Sequence, residues 1–305
     1  MDAILDVVVK IAIMVSLGFL LRKLNIITEE LQKGLTNLLL TAILPFSIIA
    51  SSGYIRTGAL TRGLLIVGAA AVIYYAVAII LMKILSDRLP FGEKKKRIFI
   101  TMTVFQNTGF VGFPLMQALY GSEGLLLAVV FNMAYNLFMF SYGVQLLSGE
   151  KADIKKFFLN PISIASVVAI LIFISPFRLP NIIASPVADV GAMTIPISMM
   201  IIGASLAPIP LRSILSDWRA YLVSFIRLLA LPGLMFLAML FLPVDPVTKS
   251  VIVLMAALPC GSMNVMFSEK YDCEPEFAAK TVVQSMLLMT ITLPLMIFLC
   301  SRVFA

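Results

Sequence analysis

The chain has 305 residues, 61% of them hydrophobic and only 13% charged, with a formal net charge of +7 and a mean hydropathy of +1.04. Soluble domains carry roughly 25% charged residues, so an ordinary water-facing surface is excluded and an integral membrane protein without a soluble domain is expected. Histidine is absent and Cys260, Cys273 and Cys300 show no CxxC spacing, which removes the usual members of a zinc site, a Ser-His-Asp triad or a histidine proton relay; no cofactor, no metal and no enzymatic chemistry are expected.

Hydropathy divides the chain into ten segments of about the ~20 residues that a bilayer crossing requires. They run over 4–21, 33–52, 62–84, 97–119, 123–147, 160–177, 185–207, 219–242, 247–268 and 277–301. The first continues past Gly18 into a basic flank with no convincing cleavage site and reads as a retained span rather than a signal peptide. The fourth is interrupted by Asn107-Thr108-Gly109-Phe110-Val111-Gly112-Phe113-Pro114, and the ninth by Leu258-Pro259-Cys260-Gly261-Ser262-Met263-Asn264. In the fifth, Asn132 and Asn136 lie one helical turn apart and share a face. Further polar groups inside the spans are Asn37, Arg227, Gln284 and Ser285.

The longest polar link, 149–160, divides the segments into five plus five, giving halves 1–149 and 150–305. An odd number of crossings per half makes the second half enter the membrane the opposite way round, an inverted repeat. Matches in register agree with this: Pro45 with Pro196, Pro114 with Pro259, and Val129–Met133 with Val282–Met286. Loops after odd-numbered segments hold Arg22, Lys23, Lys33, Lys83, Arg88, Lys94, Lys95, Lys96, Arg97, Lys151, Lys155, Lys156, Arg212, Arg219, Lys270 and Lys280, whereas the other side holds Arg56, Arg62, Arg178, Lys249 and Arg302. The positive-inside rule therefore puts both termini outside. Anchoring to anionic headgroups explains the basic run at 93–97 better than nucleic-acid binding.

Proline removes a backbone donor and glycine loosens a helix, and backbone freed within a membrane survives only when buried in protein or facing an aqueous cavity. Two broken spans in corresponding places are the sequence pointer to a transporter's central site. After each break a half-helix begins with unpaired N–H groups and a positive dipole end, suited to a carboxylate or phosphate. These starts are expected near Pro114 and Gly261, with the substrate held between Pro114 and Pro259 and flanked by Asn107 and Asn264. Gly109, Gly112, Asn132, Asn136, Ser262 and Ser285 complete the candidate binding set. For Arg227 three roles stand open: satisfying carbonyls freed by a break, balancing a substrate anion, or snorkelling to the interface. The nearest acidic residues, Asp6 and Asp189, fall toward the outer surface, so no coupling ion, proton or sodium, is readable.

The run from Asn107 to Leu115 followed by Ala118-Leu119-Tyr120-Gly121 resembles the first crossover motif of the auxin efflux carrier family. Leu258 to Ser262 with Phe267-Ser268-Glu269-Lys270-Tyr271 resembles its second. Val190-Gly191 through Ile202-Gly203-Ala204-Ser205 is similar to the family's seventh span, and Arg227 with Pro232 to its eighth. The short central link is similar to that of bacterial members. The resemblance implies an all-α membrane fold of two inverted five-helix repeats with crossed, broken fourth and ninth helices, the architecture of sodium/proton antiporters and bile-acid symporters. It further implies scaffold spans 1, 2, 6 and 7, which could pair two copies, and a mobile transport domain of spans 3–5 and 8–10. Some plant members carry an acidic residue in the third span, and 62–84 has none. The expected function is elevator-like transport of a small organic anion across the cell membrane. The alternatives are a sodium-coupled symporter of bile-acid type and a non-transporting membrane receptor.

Overall fold

The computed structural model describes residues 2–55, 57–149, 160–176, 178–207 and 217–304. Arg56, Lys151, Lys155, Lys156 and Arg212, on which part of the charge asymmetry rests, lie outside the described residues, as does most of the central link. Among the described residues the chain is helical without any strand, its one β-type pairing being an isolated bridge between Gln106 and Cys260.

In chain order the helices are α1 (Asp2–Lys23), α2 (Glu29–Leu38), α3 (Leu44–Ser51), α4 (Gly58–Arg88), α5 (Glu93–Val104), α6 (Phe113–Phe138) and α7 (Val144–Ser148). They continue with α8 (Pro161–Ile174), α9 (Asn181–Ala192), α10 (Thr194–Leu206), α11 (Trp218–Phe225), α12 (Leu231–Leu240), α13 (Pro246–Ala256), α14 (Ser262–Lys270) and α15 (Pro275–Val303). Short polar side chains start many of them by accepting a first-turn N–H: Thr28 for α2, Thr57 for α4, Asn160 for α8, Asp217 for α11 and Asp245 for α13. Gly121, at φ 60°, breaks α6 into two helices, a conformation that glycine reaches without strain. Among the described residues, six helical stretches are long and apolar enough to cross a membrane: Glu29–Ser51, Gly58–Arg88, Thr108–Ser148, Asn181–Leu206, Trp218–Leu240 and Pro275–Val303. The apolar α8 and α13 are shorter.

Four π-helical turns interrupt these helices, at Leu39–Ile43, Thr108–Gly112, Met139–Gly143 and Ile226–Ala230. Three of them immediately precede Leu44-Pro45, Phe113-Pro114 and Leu231-Pro232. A proline ring inside an α-helix collides with the carbonyl four residues back. Here the residue before each proline bonds five residues back instead, Leu44 to Leu39, Phe113 to Thr108 and Leu231 to Ile226, which widens the turn the ring must enter.

Packing joins the helices unevenly. α1 lies along α10, and α3 lies against α8 and α9. The α1–α10 approach is backbone to backbone: a Cβ on Gly203 would overlap the Val15 carbonyl, so only glycine fits. A larger set packs α4 against α6, α13 against α6, and α15 against α11, α13 and α14. Its centre is apolar and aromatic, with Tyr75, Phe99, Phe105, Phe113, Phe131 and the whole of 251–258 buried. Removing such side chains from contact is worth ~1.5–3 kcal/mol each where the alternative is water; in a bilayer the gain comes instead from close packing.

Candidate functional site

The two interruptions meet. The chain leaves α5 at Phe105 and passes through Gln106 and Asn107 into the π turn at Thr108; it leaves α13 at Ala257 and enters α14 at Ser262. The unwound stretches run antiparallel. The Asn107 N–H donates to the Pro259 carbonyl at 2.8 Å, and the Gly261 N–H to the Phe105 carbonyl at 3.0 Å. Proline at 259 has no N–H to leave unpaired, and the Cys260 N–H is taken by Ser285 Oγ at 3.1 Å. A Cβ on Gly261 would sit 2.9 Å from the Gln106 oxygen and 3.1 Å from the Phe105 oxygen, so glycine permits the crossing.

Carbonyls and amides at the crossing face different partners. The last carbonyls of α5 and of α13 converge on Arg227, which is completely buried. Its Nη1 donates to the Thr103 and Val104 oxygens at 3.0 and 3.1 Å, its Nε to the Leu258 oxygen at 3.2 Å, and its Nη2 to the Ala256 oxygen. One guanidinium thus satisfies groups that helix ends leave open, where a cation is also favoured by the helix dipoles. Its carbon lies 5.7 Å from the centre of the Tyr74 ring.

The N-terminal ends face a cavity of about 490 Å³. Asn107 caps the first by accepting the Phe110 N–H at 3.2 Å, and its Nδ2 donates to Ser262 Oγ at 3.2 Å in the first turn of the second. On the opposite wall Asn132 Oδ1 accepts the Thr108 hydroxyl at 2.6 Å. That bond orients the amide, and Asn132 Nδ2, in a residue only 3% exposed, has no hydrogen-bond partner. Asn136 Nδ2 donates to Ser163 Oγ at 3.1 Å, tying α6 to α8. Asn37 and Thr41 reach the cavity from α2 and its π turn, and Asn160 from the start of α8. The remaining wall is apolar, with Phe110, Tyr135, Phe140, Ile162 and Met266 among its members. Among the described residues the lining contains no charged side chain.

Of the residues expected at the site, Asn107, Gly109, Asn132, Asn136, Gly261 and Ser262 line this cavity. The other members stand behind it. Gly112 packs on Leu258 and Met255, Pro259 and Ser285 hold the crossing, and Asn264 Nδ2 turns to the Phe105 oxygen at 2.9 Å. The start expected near Pro114 is corrected: the half-helix opens at Thr108, because the Asn107 side chain caps it there and the π turn absorbs the proline. The cavity consequently lies beside Asn107 and Ser262, not between the two prolines. Arg227 donates to carbonyls and is absent from the lining. Gln106, Thr41, Tyr135 and Asn160 were not among the expected residues. A polar residue beside a glycine-rich break could have pointed to Gln106, and the Asn-Pro helix start to Asn160, while Thr41 carries no sequence signal. Among the described residues no three His, Cys, Asp or Glu side chains gather as metal ligands would.

A family model described as membrane transport protein matches residues 3–157 and 150–297, which together span most of the chain. The chain is similar to an uncharacterized transporter of Methanocaldococcus jannaschii, 22% identical over 287 residues that cover 91% of this chain and 92% of the relative. It is also similar to an uncharacterized transporter of Methanothermobacter thermautotrophicus, 24% identical over 295 residues, covering 95% and 96%.

Proposed function

The chain belongs to the membrane transport protein family, the auxin efflux carrier family of its two crossover motifs, and from that premise we propose that it carries a small organic anion through the cavity at the crossing of its broken helices. Membership makes it a multi-pass membrane transporter and not an enzyme. The in-register pairs Pro45 with Pro196 and Pro114 with Pro259 support two inverted halves of five crossings each, 1–149 and 150–305. In this reading α1–α3 and α8–α10 form the scaffold, through which two copies could pair. α4–α7 and α11–α15 then move together as the transport domain, carrying the cavity across the cell membrane with both termini outside.

One observation carries the choice of substrate. The helix N-termini at Thr108 and Ser262, linked through Asn107, face one cavity that also holds the unpartnered Asn132 Nδ2 and, among the described residues, no carboxylate. Each helix end favours an anion by ~0.3–1 kcal/mol when exposed and up to ~2 when partly buried. A carboxylate oxygen is the acceptor that the Asn132 amide lacks. Among the described residues the cavity lining adds no charge to the substrate's own, which responds to the membrane potential, with or without a coupled proton or sodium ion.

A thermal-shift series on the purified protein tests this, pairing each carboxylate with its amide, followed by counterflow of the best ligand in liposomes. Stabilisation and flux by the acid alone are expected. Equal effects of acid and amide would overturn the anion reading, and binding without flux would turn the carrier into a receptor.

A further inference from the structure

A second cavity, of about 510 Å³, lies away from the crossing, where the end of α4, the first turns of α5 and the end of α7 come together. Its charged lining is Lys83, Asp87, Glu93, Lys96 and Arg97. Lys96 engages both carboxylates, with Nζ 3.4 Å from Asp87 Oδ1 and 3.7 Å from Glu93 Oε1. Among the described residues neither Lys83 nor Arg97 has an ion-pair or hydrogen-bond partner for its side chain, so two cations stand unpaired over a cavity whose three cations and two carboxylates leave it net positive. Tyr142, from the π turn before α7, and Gln145 of α7 add neutral polar groups.

The neighbouring surface says which anion fits. Ile73, Val77, Ile80 and Ile84 of α4 are 62%, 47%, 58% and 50% exposed. Their spacing puts them on one stripe of the helix, and Lys83, three residues beyond Ile80, borders the end of that stripe and lines the cavity. An apolar track leading to a pair of free cations matches a molecule with hydrocarbon chains and an anionic head.

We propose that this cavity binds the phosphodiester headgroup of an anionic glycerophospholipid, with Lys83 and Arg97 on the phosphate and an acyl chain along Ile73 to Ile84. Free phosphate shares the headgroup chemistry but gains nothing from the stripe. The site lies among α4, α5 and α7, so the lipid would seat against helices that surround the crossing without entering it.

Native mass spectrometry of the full-length detergent-purified protein separates these cases, with dioleoylphosphatidylglycerol, dioleoylphosphatidylcholine and inorganic phosphate as probes. Phosphatidylglycerol is expected to bind and phosphatidylcholine to bind much more weakly. Each cation near an anionic surface is worth about five-fold in affinity, so Lys83→Gln should cost roughly that factor and Lys83→Gln with Arg97→Gln roughly thirty-fold, while Lys83→Arg retains binding. Arg88→Gln, at the same helix end but outside the cavity, should change nothing. Unchanged phosphatidylglycerol affinity in the double variant overturns the proposal, as does an equal loss in Arg88→Gln, which would mean diffuse surface attraction. Displacement of the lipid by equimolar inorganic phosphate would identify a free-phosphate site instead.

Discussion

The peptide N–H of Asn107 donates to the carbonyl of Pro259 at 2.8 Å, joining the two interrupted helices through backbone alone. Because proline cannot return a bond, the second tie comes from Gly261 to Phe105 at 3.0 Å. The start of one half-helix is thereby fixed to the start of the other. Any ligand held by both ends meets a pair of dipoles whose separation cannot drift without breaking these bonds.

Arg227 is expected to govern stability rather than selectivity. A buried carbonyl left without a donor costs ~1–3 kcal/mol, and Arg227 serves four of them. Arg227→Gln should therefore lower stability by at least ~3 kcal/mol, and Arg227→Lys by less, since an ammonium can reach only some of the same oxygens. Melting of the purified variants without substrate checks this. A Gln variant that melts normally yet binds no anion would return Arg227 to the substrate site.

Asn132→Leu should weaken carboxylate binding by ~1.5–3 kcal/mol, the worth of a hydrogen bond to a charge, and leave folding nearly intact. Asn132→Asp should be worse, because it sets a like charge against the ligand. Thr108→Val removes the bond that orients the Asn132 amide and should cost a smaller factor. Calorimetric titration of the three proteins with the carboxylate found by thermal shift gives the order directly.

Gly261→Ala places a Cβ against the carbonyls of Gln106 and Phe105. Backbone cannot rotate away as a side chain does, so the crossing must part by several tenths of an ångström at a cost of ~1–3 kcal/mol. Early melting together with lost binding is expected. Gly58→Ala, with nothing near its Cβ, provides the control.

Accessibility should follow the charge asymmetry. In a cysteine-free background, Lys95→Cys should be shielded from an impermeant thiol reagent in intact cells and Thr57→Cys should react. The opposite pattern would invert the assignment of both termini. The native Cys260, Cys273 and Cys300 are buried and should label only after unfolding.

Acid should act at the α14–α15 turn. The hydrogen bond and charge of Lys94 hold the Asp272 carboxyl below the usual carboxylate range. A lowered folded pKa contributes stability that is fully present above the unfolded value near ~3.9 and is lost as pH falls through the folded value. Asp272→Asn should thus lower melting by a small and constant amount at every pH above about 4, the difference from the native protein fading as pH falls below that. A difference that changes between pH 6 and 8 would contradict the assignment.

Both interruptions were legible from glycine and proline in apolar surroundings, because few other residues release backbone inside a membrane. The start of the first half-helix was not, since Pro114 is the conspicuous residue whereas capping by Asn107 and the turn at Thr108 decide the boundary. Asn132 and Asn136 both line the cavity, as their one-turn spacing suggests. Asn264 looked equivalent to Asn107, yet its side chain is spent on the Phe105 carbonyl. The partners of Arg227 are main-chain oxygens, which leave no mark in residue identity.

Each π turn holds one residue more than an α-helix of the same rise, and one residue is about 100° of rotation. The face of the chain is therefore re-aimed within a single helix at 39–43, 108–112, 139–143 and 226–230. A one-residue deletion, normally ruinous in a membrane helix, can be absorbed at such a place by conversion to plain α geometry. The turn at Met139–Gly143 precedes no proline and is where such a shortened chain should still assemble, with the residues beyond it keeping their faces.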